Sequence, residues 1–156
     1  MGGLHFMATK IALFLHVAGV ATWFGAMHIL AIWLGRTAKA ADGKSLSETL
    51  QAVHRLNMRT LVPSAIIVLA AGAFMLYSKY NPADLPLWLQ FKERFGSLFI
   101  LAYIIGFTLY GRKLKSATNS GDAELLRKTA RRYTILAHVT TLLILIVILF
   151  ATFQFT

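Results

Sequence analysis

The chain alternates between long apolar stretches and short segments that carry its charges. Uncharged and mainly apolar residues fill positions 11–35, 60–78, 95–111 and 133–156. A helix needs roughly 17–25 such residues to cross the hydrocarbon layer of a bilayer. At these lengths only a helix satisfies its own backbone hydrogen bonds inside lipid. The pattern predicts an all-α integral membrane four-helix bundle. We expect a single domain over residues 1–156, with helices at about 10–35, 57–78, 94–112 and 132–155.

Local signals refine where these helices begin and end. Ser45-Leu46-Ser47-Glu48 fits a capping box, so the second helix is predicted to begin near Ser45 and to run through His54 into the membrane. Pro63 is expected to bend that helix near the surface. Ser120-Gly121-Asp122 is typical of a turn before the last helix, and Asn81-Pro82 is expected to break the chain.

The composition excludes several classes of protein. Hydrophobic residues make up 57% of the chain and charged residues 14%, against about 25% charged in an ordinary soluble domain. A soluble globule and a disordered chain are both inconsistent with this balance. There is no cysteine, so disulfides, thiolate-bound zinc, iron–sulfur clusters and covalently attached c-type haem are excluded.

The positive charges are distributed unevenly between the two sides of the predicted bundle. Of the 16 lysines and arginines, four lie on the side of the N-terminus (Lys10, Lys79, Lys92 and Arg94) and the other twelve lie on the opposite side. The positive-inside rule therefore predicts cytoplasmic basic loops and both termini on the non-cytoplasmic side. We expect a bacterial inner-membrane location. The net charge of +10 indicates contact with an anionic lipid bilayer rather than nucleic acid.

Three histidines fall within the predicted spans. His28 and His138 lie about 8 and 9 Å from the middles of their helices, both toward the basic side. Their shared depth makes them candidate ligands of one haem iron or metal ion. His16 lies about 10 Å from the middle toward the opposite side, where Met75 is a weaker candidate partner. Each imidazole has an alternative role as a structural hydrogen-bond donor between helices. The other two histidines, His5 and His54, lie in or near water and are expected to be ordinary surface residues.

Other site chemistry has little support in the sequence. No carboxylate falls within a predicted span, which argues against a buried acidic proton relay. No nucleotide-binding or hydrolytic motif is present. Ala18, Gly19, Ala21, Gly25 and Ala26 line the first helix, where they favour close helix packing or leave room for a flat macrocycle.

The first helix reads Leu15-His16-Val17-Ala18-Gly19-Val20-Ala21-Thr22-Trp23-Phe24-Gly25. This run resembles the opening helix of the HemJ-type protoporphyrinogen oxidases and of the related CopD-like membrane proteins. The resemblance continues with Arg55-Leu56, Pro63, Gly72 and Trp88-Leu89-Gln90-Phe91-Lys92, and it covers most of the chain. It implies a b-type haem, a functional first-helix histidine at His16, and a catalytic role for Lys92.

The chain departs from the HemJ-type pattern in two places. Those proteins carry a Pro-Arg…Tyr-His pattern after the first helix, where this chain reads His28-Ile29-Leu30-Ala31-Ile32-Trp33. His138 in the last helix also differs. These departures favour a haem-binding relative over the porphyrinogen oxidase itself.

The leading hypothesis is a cytochrome b-like membrane protein that binds haem b and transfers electrons to an unknown redox partner. His28 and His138 would hold one haem. His16 would bind a second haem or have a role at the outer face of the membrane. The alternatives are a HemJ-like oxidase of a porphyrin substrate, a CopD-like copper-handling protein, and a non-catalytic subunit of a homo-oligomer or larger complex.

Overall fold

The computed structural model describes residues 2–40, 42–80, 85 and 87–153. Five α-helices follow in order: α1 (Gly2–Ala40), α2 (Gly43–Leu56), α3 (Val62–Lys79), α4 (Leu87–Asn119) and α5 (Ala123–Phe153). A π-helical turn (Asn57–Leu61) joins α2 to α3. The described residues form no strand, which confirms the all-α prediction. The expected break at Asn81-Pro82 and the end of the last helix lie outside them.

Four helical segments within the described residues are long and apolar enough to cross a membrane. They are Gly3–Lys39, Gly43–Ser78, Lys92–Asn119 and Ala123–Thr152. Their outer faces carry large apolar side chains, of which Phe14, Ile29 and Leu98 are 65–70% exposed. Apolar surface of this extent is unfavourable in water and suits contact with lipid. The architecture therefore supports an integral membrane protein.

The first helix lies at the centre of the packing. α1 packs most extensively against α3 and α5, while α4 packs against α5 and more loosely against α3 and α2. Trp23, Met27 and Leu34 of α1 are almost completely buried, together with Tyr103 of α4 and Tyr133 of α5. Aromatic and aliphatic side chains from every transmembrane segment thus meet in one core.

The second helix covers the end of the bundle that carries most of the positive charge. Leu46, Leu50 and Val53 of α2 are fully buried, and their spacing of four and three residues places them on one face of the helix. That face packs against α1 and α5. α2 is therefore an amphipathic extension of the membrane-spanning helix.

Two turns fix the ends of neighbouring helices. Asp42 rather than Ser45 caps α2, because its side chain accepts a hydrogen bond of 2.8 Å from the Ser45 amide. The capping-box prediction was therefore wrong by three residues. Before α5, Gly121 has φ of +69°, a conformation that glycine adopts without steric cost. Asp122 then accepts hydrogen bonds from the amides of Glu124 and Leu125, which confirms the predicted turn.

The π-helical turn lies just before the proline that was expected to bend the helix. The amide of Val62 donates to the carbonyl of Asn57 five residues earlier, which is the hydrogen bond of a π-helix. Pro63 follows at the start of α3 and has no N–H to donate. Ser64 contributes a hydroxyl hydrogen bond of 2.8 Å to the carbonyl of Thr60. The π-helical turn therefore lies just before Pro63, and the helix continues through the proline instead of ending there.

Candidate functional site

His16 is held in a fixed orientation between α1 and α3. Its Nδ1 lies 2.8 Å from the backbone carbonyl oxygen of Val68. A carbonyl only accepts, so Nδ1 must carry the proton and donate it. In the neutral ring, Nε2 then has a free lone pair. This is the arrangement typical of a metal-ligating histidine, whose other nitrogen is committed to a carbonyl or carboxylate.

Two glycines allow the imidazole to reach that carbonyl. A Cβ on Gly72 would lie 3.3 Å from both Cε1 and Nδ1 of His16, so a side chain there would press on the ring. A Cβ on Gly19 would lie 2.7 Å from Cγ2 of Val68 and 3.3 Å from the Ser64 carbonyl oxygen. Gly19 therefore lets α1 approach α3 closely, and Gly72 leaves space for the ring.

Lys92 belongs to the same end of the bundle. Its side chain is half-buried at the start of the third membrane span. The two residues that the family resemblance singles out therefore lie toward the same end of the bundle. Met75, the weaker candidate, is half-buried three residues beyond Gly72 on α3.

The other two membrane histidines lie on the outer surface of the bundle. Both His28 and His138 are exposed, and the His28 ring stacks on Phe24 with centroids 6.4 Å apart. The helices that carry them are antiparallel, and a Cβ built on Gly35 of α1 would lie 3.3 Å from Cγ2 of Thr134 of α5, so these two residues share a level. Along the helix axes, His28 lies about 10 Å from the level of Gly35 and His138 lies about 6 Å from the level of Thr134, in the same direction. They therefore have similar depths, but neither reaches the core.

A buried polar cluster lies deeper in the bundle and was not identified from the sequence. It consists of Trp23, Asn57, Tyr103 and Tyr133, each 1–4% exposed. The Tyr103 hydroxyl donates to Oδ1 of Asn57. Among the described residues, Trp23 Nε1, Asn57 Nδ2 and the Tyr133 hydroxyl are buried without a hydrogen-bond partner. The sequence carried little signal for this cluster, because Asn57 lies between Arg55 and Arg59, ahead of the apolar stretch that begins at residue 60.

His54 also differs from expectation. The sequence suggested an ordinary surface histidine, but the side chain is half-buried and its Nδ1 is buried without a partner. The ring lies edge-on to Tyr133, with centroids 6.2 Å apart. A Cβ on Gly111 would overlap its Nε2, so the imidazole lies directly on the backbone of α4.

Clustered metal ligands are absent from the part of the chain that the structure describes: no three His, Cys, Asp or Glu side chains come together there. A metal bound at His16 must therefore take further ligands from methionine, from a cofactor or from another molecule. Comparison with family models, with curated proteins and with solved structures gives no match.

Proposed function

We propose that this chain is an integral membrane protein that binds haem b through His16 and carries electrons within the bilayer. The observation that carries the proposal is the hydrogen bond from His16 Nδ1 to the Val68 carbonyl. It orients the ring and leaves Nε2 with a free lone pair, so His16 would be able to hold a haem iron. The HemJ-type resemblance at His16 and Lys92 supports the same assignment.

The residues near His16 fit the demands of a haem group. Gly72 presents no side chain beside the imidazole, and the half-buried Lys92 supplies a cation suited to a carboxylate such as a haem propionate. The apolar helix faces provide a low-dielectric surround that tunes the iron potential. Bound haem b would supply a one-electron iron(III)/iron(II) couple.

In this proposal, His28 and His138 are candidate ligands of a haem other than the one at His16. They are exposed at similar depth, so a haem that uses them would lie on the outer surface of the α1–α5 pair. A second copy of the chain or a partner subunit would then cover it. Their variants distinguish one haem at His16 from two haems.

The first test is an absorption spectrum of detergent-purified protein from haem-replete cells, oxidised and then reduced with dithionite. We expect a Soret band and sharp reduced α and β bands. His16→Asn keeps an amide N–H near the position of Nδ1 but removes the ligand atom Nε2. It should lose or shift the bands, whereas His5→Ala at the exposed N-terminal end should leave them unchanged.

Three results would contradict the assignment. Haem-free protein from haem-replete cells would contradict haem binding altogether. An unchanged spectrum in His16→Asn would show that His16 is only a hydrogen-bond donor. Loss of the bands in His28→Ala or His138→Ala, but not in His16→Asn, would move the haem to the outer surface.

A second candidate is HemJ-like oxidation of a porphyrin intermediate, which the half-buried position of Lys92 toward the same end of the bundle as His16 favours. The test is rescue of a bacterial strain that lacks protoporphyrinogen oxidase. Rescue by the unmodified chain but not by Lys92→Gln would support this activity. Lys10→Gln is the matched control, because Lys10 lies on the same side but contacts the Phe6 ring. Failure of the unmodified chain to rescue would leave electron transfer as the better assignment.

A further inference from the structure

An open groove lies between α2 and α4 on the basic side of the bundle. It has a volume of about 480 Å³. Its lining comes from the last turns of α2, the π-helical turn and the second half of α4. The groove exists because α4 packs only loosely against α2.

The charges that line this groove all have one sign. Arg55 and Arg59 approach from one side and Lys115 from the other, and all three are exposed. None of the described residues that line it is acidic. Gln51 and Asn119 add neutral hydrogen-bonding groups at the rim. Guanidinium groups bind phosphate through paired N–H donors, so this lining is suited to a phosphate group.

The groove also has an apolar wall. Met58 and Leu114 lie among the cationic residues, and the apolar segments of α3 and α4 continue from there into the membrane span. His54 and Gly111 also line the groove, with the His54 ring lying on the backbone at Gly111. A ligand that fits this combination has a negative head and an apolar tail.

We propose that the groove binds the phosphate group of an anionic phospholipid of the cytoplasmic leaflet. Arg55, Arg59 and Lys115 hold the phosphate, and the acyl chains follow the apolar helix faces toward the membrane interior. Basic pockets between transmembrane helices on the cytoplasmic side recognise lipid head groups by this chemistry. A soluble phosphate compound presents the same head group without the tail.

The test uses the full-length protein, delipidated in neutral detergent and titrated with phosphatidylglycerol or with phosphatidylcholine of the same acyl chains. Binding is followed by native mass spectrometry and by the shift in thermal unfolding temperature. We expect phosphatidylglycerol to bind at least roughly tenfold more tightly. Inorganic phosphate at increasing concentration forms the third arm. It should compete only weakly, because it has no acyl chain.

Two triple variants make the result specific to the groove. Arg55→Gln/Arg59→Gln/Lys115→Gln removes the three groove cations. Arg127→Gln/Lys128→Gln/Arg131→Gln removes three exposed cations of α5 that lie outside it. Because all six side chains are exposed, both variants should fold with unchanged helix content. The groove variant should lose the preference for phosphatidylglycerol, and the control variant should keep it.

Other outcomes would overturn the proposal in identifiable ways. Equal losses in the two variants would show general attraction of anionic lipid to a basic surface and no site. Equal binding of the two lipids by the unmodified protein would contradict anion recognition. Tight binding of inorganic phosphate without lipid preference would assign the groove to a soluble phosphate compound and refute the lipid.

Discussion

Gly72 is the residue on which the geometry of the His16 site depends most directly. In an α-helix the carbonyl of residue i lies beside residue i+4, so residue 72 is the neighbour of the Val68 carbonyl. A Cβ at this position would lie 3.3 Å from the His16 ring, which is closer than side chains normally pack. A side chain at position 72 would therefore push the His16 ring by a few tenths of an ångström away from the position it occupies beside glycine.

Replacement of Gly72 by alanine should displace the His16 ring and weaken its bond to Val68. We expect Gly72→Ala to unfold in mixed micelles with a free energy about 1 kcal/mol lower than that of Gly106→Ala, because alanine favours a helix at both positions and only position 72 contacts the ring. Haem content should also fall if His16 is a ligand. Gly106→Ala is the matched control, because a Cβ there meets nothing within 4 Å. Equal effects of the two substitutions would show that the close contact at Gly72 has no energetic consequence.

For individual residues, the sequence predicted the depth of His16 but missed its hydrogen-bond partner and the partial burial of His54. Spacing placed His16 at membrane depth, and the family resemblance suggested a functional role that stays a prediction. Its partner is a backbone carbonyl, which has no signature in the sequence. His54 was expected at the surface because it precedes the apolar run. It is half-buried because Gly111, distant in sequence, lets it lie on α4.

Among the helical elements, the π-helical turn is joined to the neighbouring helix α4 by a side-chain hydrogen bond. Asn57 begins the turn and its Oδ1 accepts a hydrogen bond from the Tyr103 hydroxyl. Both residues are buried, so neither has water as a replacement partner. This contact joins the widened segment to the core of the bundle.

Removing the Tyr103 hydroxyl should therefore destabilise the protein. We expect Tyr103→Phe to cost about 1–3 kcal/mol, because it leaves a buried acceptor without its donor. Tyr77→Phe is the control, since Tyr77 is 68% exposed. The measurement is the unfolding free energy in mixed micelles.

A double-mutant cycle with Asn57→Leu tests whether the two residues act together. The double variant should lose less than the sum of the single variants, because removing both partners leaves no unpaired group. Strictly additive losses would show that the hydrogen bond contributes little.

The helical elements themselves were largely predictable, because apolar length specifies a membrane-spanning helix. The residues at which these helices begin and end were less predictable. Asp42 and Ser45 are both good capping residues, and the sequence pattern favoured the wrong one. The π-helical turn was not foreseen, since Pro63 alone predicts only a bend.

For the whole molecule, the orientation in the membrane remains a prediction from charge. Twelve of the 16 lysines and arginines lie on the side of the loops that follow α1 and α4, and these should be cytoplasmic. The absence of cysteine from the chain makes single-cysteine labelling direct, with no background to remove.

We expect a membrane-impermeant maleimide to label Gly3→Cys in intact bacterial cells. Ser116→Cys, at an exposed position near the other end of the bundle, should react only after the cells are permeabilised. Both cysteines should react in detergent, which controls for accessibility. The reverse pattern would place the basic loops outside the cytoplasm and contradict the proposed lipid leaflet.

The π-helical turn also determines how this chain can vary by insertion and deletion. Its hydrogen bond from Val62 to Asn57 spans five residues instead of four, so the segment accommodates one residue more than a regular helix would. Deleting one residue here would let the segment close as a regular α-helix, because the wide turn holds the extra residue without changing how the flanking turns face. Leu46, Leu50 and Val53 would then keep their places in the core. A related chain that lacks this residue should therefore carry the apolar stripe of α2 one residue closer to the proline of α3 along its sequence.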